Sequence, residues 1–405
     1  MDDGVSAERM LSEIHSESLQ QLLTSVRHAI SPAGSTRIAA LDAFLCGTRS
    51  QRDANSGVAA SLNRGDVIEI QGPAASGKTH LLYHLLIICI SPREYQRVQL
   101  GGWDKAALFF DTDNTFDVSR FRQLLVSYLT EQLSQQYGSL AGHVYQPSFP
   151  DLAEEIASSC LQNLHIIRPE ATSQLATTLL NLPKYHATHP SLQYQDIGIL
   201  AIDSMSAFYW KDRYDMEHLR ENRRGGDLSS SSPLYHVLTA LQNFRLSHGP
   251  VIVMTNWGLS PLKKPSLTGE PTSLFYKQHL YPFPSPFDTW EQSSHTTALG
   301  NVSSQRSESP EPSTVPLQRT RPQSELDATQ PRRSFPLTCH ITLHPVPISP
   351  FAPTLTLSES EESEPVRAHL VKAGKVQGLV RIPGVARVGE FAFLIRERDV
   401  VSDTQ

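Results

Sequence analysis

The chain has 405 residues, of which 39% are hydrophobic and 28 are proline. That length allows about two or three domains, and the proline excess with a modest apolar share points to a folded core plus a sizeable part outside it. Lys and Arg number 35 against 41 Asp and Glu, a net charge of −6, which excludes a uniformly basic nucleic-acid coat and leaves room for a local basic groove.

The acidic start MDDGVSAERM lacks the positive flank and apolar stretch of a secretory signal. Residues 1–34 read as an N-terminal helical segment. Met10, Leu11, Ile14, Leu19, Leu22, Leu23 and Val26 recur at helical spacing, and Pro32 and Gly34 end the pattern. Residues 46–64 are polar and read as a loop.

From residue 65, short apolar strands alternate with helical stretches. Asp66–Gln71, Ala106–Phe110, Leu164–Arg168, Ile197–Asp203 and Val251–Thr255 are the predicted strands. Thr79–Ile90, Val118–Gln136, Ser173–Leu182 and Leu234–Ser247 are the predicted helices between them. Such alternation implies parallel pairing through right-handed crossovers, and the near-continuous apolar content of the strands implies cover on both faces. The predicted class is α/β, a mostly parallel sheet flanked by helices. The longest apolar run, Leu81–Ile90, is half the roughly 20 residues a bilayer span requires, so no membrane partner is expected.

Residues 258–334 break the rhythm. They carry 11 prolines and 13 serines in 77 positions, too few apolar groups for a core, and read as a disordered insertion. Strand texture returns at Thr338–Leu343, Val376–Ile382 and Glu390–Ile395, with the acidic run Ser358–Glu364 placed in a loop. These three strands are expected as antiparallel additions to the same sheet. The organisation is then 1–34 helical segment, 35–257 core, 258–334 insertion, and 335–405 strands completing the core sheet.

Gly72, Pro73, Ala74, Ala75, Ser76, Gly77, Lys78 and Thr79 match GxxxxGK[ST], with a strand before and a helix after. Glycine lets the backbone approach phosphate closely, and successive N–H groups at a helix start form an anion cradle. In such a loop Lys78 reaches the outer phosphates of ATP and the Thr79 hydroxyl ligates Mg2+. Asp203, at the end of an apolar strand, is the expected acid behind the magnesium; the plainer role for such a residue is to cap a turn. A third acid is needed to orient an attacking water. Asp111 and Asp113 are available, and Asp113 is the candidate, one methylene shorter than Glu and roughly 1.5 Å less in reach. Either acid could instead cap the helix beginning near Asp117.

GPAASGKT, LFFDTDNTF, ILAIDS and VIVMTN occur in the order found in RecA-type recombinase ATPases. The segment Ser35–Leu45 resembles the stretch that leads into that core, and Leu200–Arg213 resembles the recombinase paralogues in particular. The resemblance covers residues 35–257 and resumes faintly over 335–398. It implies a RecA-type P-loop core, a role in homologous recombination, a nuclear location, and a second recombinase paralogue as partner. In that family such subunits support the strand-exchange filament on single-stranded or branched DNA through a complex. The chain departs from the strand-exchange enzymes in three ways. Asp113 stands where they carry Glu, Trp257 follows Asn256 where they carry Gln, and the Phe-x-x-Ala tether of self-polymerisation is not found ahead of the core. These departures favour an accessory subunit. The alternatives are a DNA-dependent ATPase that remodels filaments by its own turnover, or a scaffold that works without nucleotide.

The same resemblance places the loops after the fourth and fifth strands toward DNA. Lys211, Arg213, Arg220, Arg223 and Arg224 are the DNA-contact candidates, with Tyr209 and Trp210 available for stacking. Asp212, Asp215, Glu217 and Glu221 are interleaved among them, and a solvated, salt-bridged helix explains that pattern equally well. Four cysteines lie far apart without a CxxC pair, which argues against a zinc site or a disulfide framework. His340 and His344, the one tempting histidine pair, fall in a strand at a spacing too wide for easy joint ligation.

Overall fold

The computed structural model describes residues 26, 32–52, 61–140, 149–222, 233–259, 275–276, 337–345, 354 and 356–402. Among them nine strands form one sheet. In chain order these are β1 (Val67–Gly72), β2 (Ala106–Asp111), β3 (Leu164–Ile167), β4 (Ile197–Asp203), β5 (Val251–Trp257), β6 (Cys339–Pro345), β7 (Lys375–Arg381), β8 (Gly389–Ile395) and β9 (Val400–Ser402). Their spatial order is β9-β8-β7-β6-β1-β5-β4-β2-β3. The run from β6 to β3 is parallel throughout, and β7, β8 and β9 add antiparallel strands beyond β6.

The helices are α1 (Ala39–Arg52), α2 (Lys78–Ile90), α3 (Val118–Leu140), α4 (Phe149–Cys160), α5 (Thr172–Thr188), α6 (Tyr209–Asn222), α7 (Pro233–His248) and α8 (Leu357–Ala373). Alternate strand residues point to opposite faces, and the two cores follow that period. Ile68, Ile70, Ala107, Phe109, Ile199 and Val253 pack toward α1–α4. Leu108, Phe110, Leu200, Ile202, Ile252 and Met254 pack toward α5 and α7. Helix α2 is buried from Leu81 to Ile90, so its ten-residue apolar run is a central core helix. Each such Leu, Ile or Phe contributes about 1.5–3 kcal/mol on burial.

Several expectations are corrected. Residues 46–52 continue helix α1, so the polar loop begins later than expected. The acidic run Ser358–Glu364 lies in helix α8, opened by a capping box in which Thr356 and Glu359 bond each other's backbone N–H. Strand β6 enters parallel to β1, and the antiparallel additions begin at β7. Helix α4 and strand β9 are further elements. Of the expected N-terminal helical segment 1–34, only Val26 and residues 32–34 lie among the described residues, and Pro32–Gly34 form a short strand paired antiparallel with Leu62–Asn63 rather than a helix; the insertion lies outside the described residues apart from 258–259 and 275–276. Phe275 sits beneath the Arg381 guanidinium, 4.1 Å from Cζ to the ring centroid, and Tyr276 stacks on His344. Among the described residues no helix is long and apolar enough to cross a membrane.

Candidate nucleotide site

The carboxyl ends of β1, β2, β4 and β5 lie side by side. Gly72 is in register with Trp257 across β1 and β5, and Asp111 with Asp203 across β2 and β4. In parallel α/β sheets that edge is where ligands bind. The Gly72–Thr79 loop leaves β1 there and turns into α2. Two of its residues are left-handed, Ala75 at φ 58° and Gly77 at φ 85°. Gly77 also packs closely on the antiparallel strands: a Cβ there would meet Ile395 Cδ1 at 2.8 Å and Val376 Cγ2 at 3.2 Å. The C-terminal strands therefore buttress the loop from outside.

Inside the loop, Lys78 Nζ donates to the carbonyls of Gly72 at 3.0 Å and Pro73 at 2.7 Å. Burial pushes its ammonium below the ordinary lysine value, against the pull of Asp203 and Asp113. Thr79 Oγ1 donates to Asp203 Oδ2 at 2.7 Å. The other oxygen of Asp203 accepts from Thr255 Oγ1 on β5. Ser76 Oγ is buried in the loop with no hydrogen-bond partner among the described residues. A buried hydroxyl left in this way costs about 1–3 kcal/mol, and an anion in the cradle would satisfy it. The loop, the hydroxyl and the carboxylate thus fit a magnesium-bound nucleoside triphosphate.

The turn after β2 separates the roles of its two acids. Asp111 is buried and structural. Its Oδ1 accepts from Thr115 N at 2.9 Å, and its Oδ2 accepts from Phe116 N at 3.2 Å and Arg168 Nε at 3.1 Å. Phe116 packs among Phe109, Tyr83 and Phe121 in tilted and edge-on contacts at centroid distances of 4.6, 4.9 and 5.5 Å, which fixes the turn from below. Asp113 faces the loop instead. Its Oδ2 accepts from Ser204 Oγ at 2.9 Å, and the Ser204 carbonyl in turn accepts from Thr112 Oγ1 at 2.7 Å. Burial, followed by the Asp203 and Asp111 carboxylates, raises the Asp113 carboxyl above its ordinary value, while the Ser204 bond and Lys78 lower it.

Of the predicted site residues, the structure brings together the Gly72–Thr79 loop, Asp203 and Asp113. Lys211 and Arg213 are exposed on α6, which begins six residues after Asp203. Arg213 is already engaged, by Glu217 at 3.0 Å and by Tyr209 Oη at 3.4 Å, beside the exposed Trp210 ring. The helix is docked through Asp212, which accepts from Thr172 Oγ1 at 2.6 Å. Arg220 lies within α6 but its side chain is outside the described residues, as are Arg223 and Arg224. Thr255, Ser204 and Arg168 were not singled out from sequence. Each acts across strands, and the one local cue is the Thr-Asn pair at the end of an otherwise apolar β5.

A cleft of about 270 Å³ lined by Ile90, Tyr95, Asp104, Glu155 and Cys160 lies at the opposite end of the sheet from the loop. Among the described residues no group of three His, Cys, Asp or Glu could hold a metal by itself. A cation at Thr79 and Asp203 therefore needs ligands from a bound phosphate and water.

No family model matches the chain. It is 28% identical over 220 residues to a protein of Arabidopsis thaliana named DNA repair protein XRCC2 homolog, covering 51% of this chain and 58% of that protein. It is 36% identical over 149 residues to DNA repair protein XRCC2 of Mus musculus, covering 37% of this chain and 43% of that protein. The chain thus spans about half the length of the curated relatives it matches. On these likenesses the chain resembles DNA repair protein XRCC2.

Proposed function

We propose that this chain is an accessory recombinase paralogue with a RecA-type P-loop core, acting in homologous-recombination repair of DNA double-strand breaks. It binds ATP with Mg2+ and a second recombinase paralogue, and it supports the strand-exchange filament on single-stranded DNA from within that complex, in the nucleus. The names of the two relatives support the repair role. The observation that carries the nucleotide reading is the 2.7 Å bond from Thr79 to Asp203 across the mouth of the loop. It joins a hydroxyl and a carboxylate, the pair of oxygen ligands that a hard divalent cation takes beside phosphate.

In this reading the backbone N–H groups from Gly72 to Thr79 hold the phosphates, and Lys78 swings from the loop carbonyls to the outer phosphate oxygens. Thr79 would hold the cation, with Asp203 holding it through water. Bound Mg2+ supplies charge neutralisation at the outer phosphates. Asp113 is short for a water-orienting acid and is tied to Ser204 at 2.9 Å, which favours slow turnover.

The test is ATP turnover by the full chain with and without single-stranded DNA, beside Asp113→Glu. Binding with little turnover, and a faster Asp113→Glu variant, are expected. Appreciable wild-type turnover stimulated by DNA would replace the accessory reading with that of an ATPase that remodels filaments by its own work.

A further inference from the structure

Six buried polar side chains lie on four adjacent strands near the phosphate loop: Glu69 and Gln71 on β1, Asn256 on β5, His340 and Thr342 on β6, and Arg381 on β7. They meet by register. Gln71 is opposite Asn256, Glu69 is opposite His340, Gln71 is opposite Thr342, and His340 is opposite Arg381. On Glu69 and Gln71 the side chains share the face that elsewhere packs apolar groups against α5 and α7.

Glu69 is the node of the group. Its Oε1 accepts from Asn256 Nδ2 at 2.6 Å, and its Oε2 lies 3.9 Å from His340 Nε2. Asn256 passes the contact outward, because its Oδ1 accepts from Ser206 Oγ at 2.9 Å. Ser206 Oγ also accepts from Trp257 N at 3.0 Å, which latches the segment after β4 onto the end of β5. The Ser206 carbonyl accepts from Tyr209 N at 3.1 Å and so opens the first turn of α6. In the other direction, Glu69 is three residues of buried strand from Gly72, where the phosphate loop begins.

Burying a carboxylate is costly, and well-packed apolar residues in place of a buried ionic group are often neutral or stabilising. Stability alone therefore gives a weak account of Glu69. A buried hydrogen bond as short as the 2.6 Å Asn256–Glu69 contact, by contrast, is directional and fixes the geometry of its partners.

We propose that Glu69 is a positioning residue that passes the state of the phosphate loop to helix α6 through Asn256 and Ser206. The helix it sets carries Lys211, Arg213 and the exposed Trp210, so the relay ties nucleotide occupancy to the presentation of that surface. A second tie reaches the same segment from the other side, through Thr79, Asp203 and Thr255. Glu69 and Ser206 belong to the first relay alone, which makes it separable by mutation. The inference rests on the nucleotide reading above.

The experiment is hydrogen exchange over residues 209–222 of the full chain, with and without Mg·ATP, in wild type, Glu69→Gln and Ser206→Ala. Mg·ATP affinity is measured separately for each. Expected is a wild-type slowing of about fivefold in α6, the low end of ordinary coupling. Both variants should bind Mg·ATP much as wild type does while losing most of that slowing. Ser206→Ala leaves the buried carboxylate in place and carries the test if Glu69→Gln does not fold. Three results overturn the inference: a full α6 response in the variants, a wild type that binds Mg·ATP with no response in α6, or loss of Mg·ATP binding in both variants. A wild type that binds no nucleotide overturns the nucleotide reading itself, and the inference with it.

Discussion

Asp203 is where the strands of the site converge, and its two oxygens have different tasks. One meets Thr79 on the phosphate-loop helix, the other meets Thr255 on β5. Removing the β5 hydroxyl leaves a buried carboxylate oxygen without that donor, which costs about 1–3 kcal/mol. Thr255→Val should therefore lower stability by that amount in denaturant unfolding, and Thr255→Ser by less than half of it. A Thr255→Val protein as stable as wild type would show that this hydroxyl is dispensable. The contrast between the two acids after β2 is of the same kind. From sequence, Asp111 and Asp113 were two residues apart with the same chemistry. The structure gives Asp111 to the turn and Arg168, and Asp113 to Ser204 and the loop. The Gly72–Thr79 stretch was legible as a local motif, and Asp203 as the acid that ends an apolar strand. Thr255, Ser204 and Glu69 were not, because their partners come from other strands and register is not written in any one segment.

At the scale of elements, the five parallel core strands were legible from continuous apolar runs between turn residues, and Ile197–Asp203 was placed to the residue. Boundaries failed where a local signal opposed the tertiary setting. The helix expected over Ser173–Leu182 runs on through Pro183 to Thr188, with Leu182 buried against the sheet. The acidic run before Pro365 suggested a loop, yet Thr356 and Glu359 form a capping box and Gly374 closes the helix at φ 61°. That Thr-x-x-Glu start was readable, but seven residues rich in like charge obscured it. Strand β6 was expected to be antiparallel as one of three short strands separated by loops near the end of the chain. The connection from β5 is long enough for a crossover, and β6 re-enters parallel to β1. Only after β6 does the sheet turn antiparallel, and those strands then brace Gly77. Helix α6 shows the mixed charge its sequence suggested: an exposed face on which Arg213 is held by Glu217.

For the whole molecule, burial acts on histidines in one direction. His80, His84, His165, His248 and His340 are all held below the ordinary histidine value, first by loss of solvation. The native state then binds fewer protons than the unfolded chain as pH falls through about 6.5, and each such group removes up to roughly 1.4 kcal/mol per pH unit. Stability from these groups is full above that value and declines below it, down to the lower native pKa. The denaturant midpoint should fall steadily from pH 7.5 to pH 5.5. A midpoint that is flat or rises over that window would mean that these rings are hydrated in solution. The alternation of strand and helix through the core was legible from apolar patterning. Strand order was not, since it depends on which edge each crossover chooses.

In the proposed function the phosphate loop and Asp203 act together on a magnesium-bound nucleotide. Equilibrium binding of ATP to the full chain, with Mg2+ or with chelator, tests this most directly beside Lys78→Ala and Asp203→Asn. Saturable, Mg2+-dependent binding is predicted, weakened at least about tenfold, or 1.4 kcal/mol, by either substitution in folded protein. Binding that ignores Mg2+ and both substitutions, or no binding by the wild type, would contradict it.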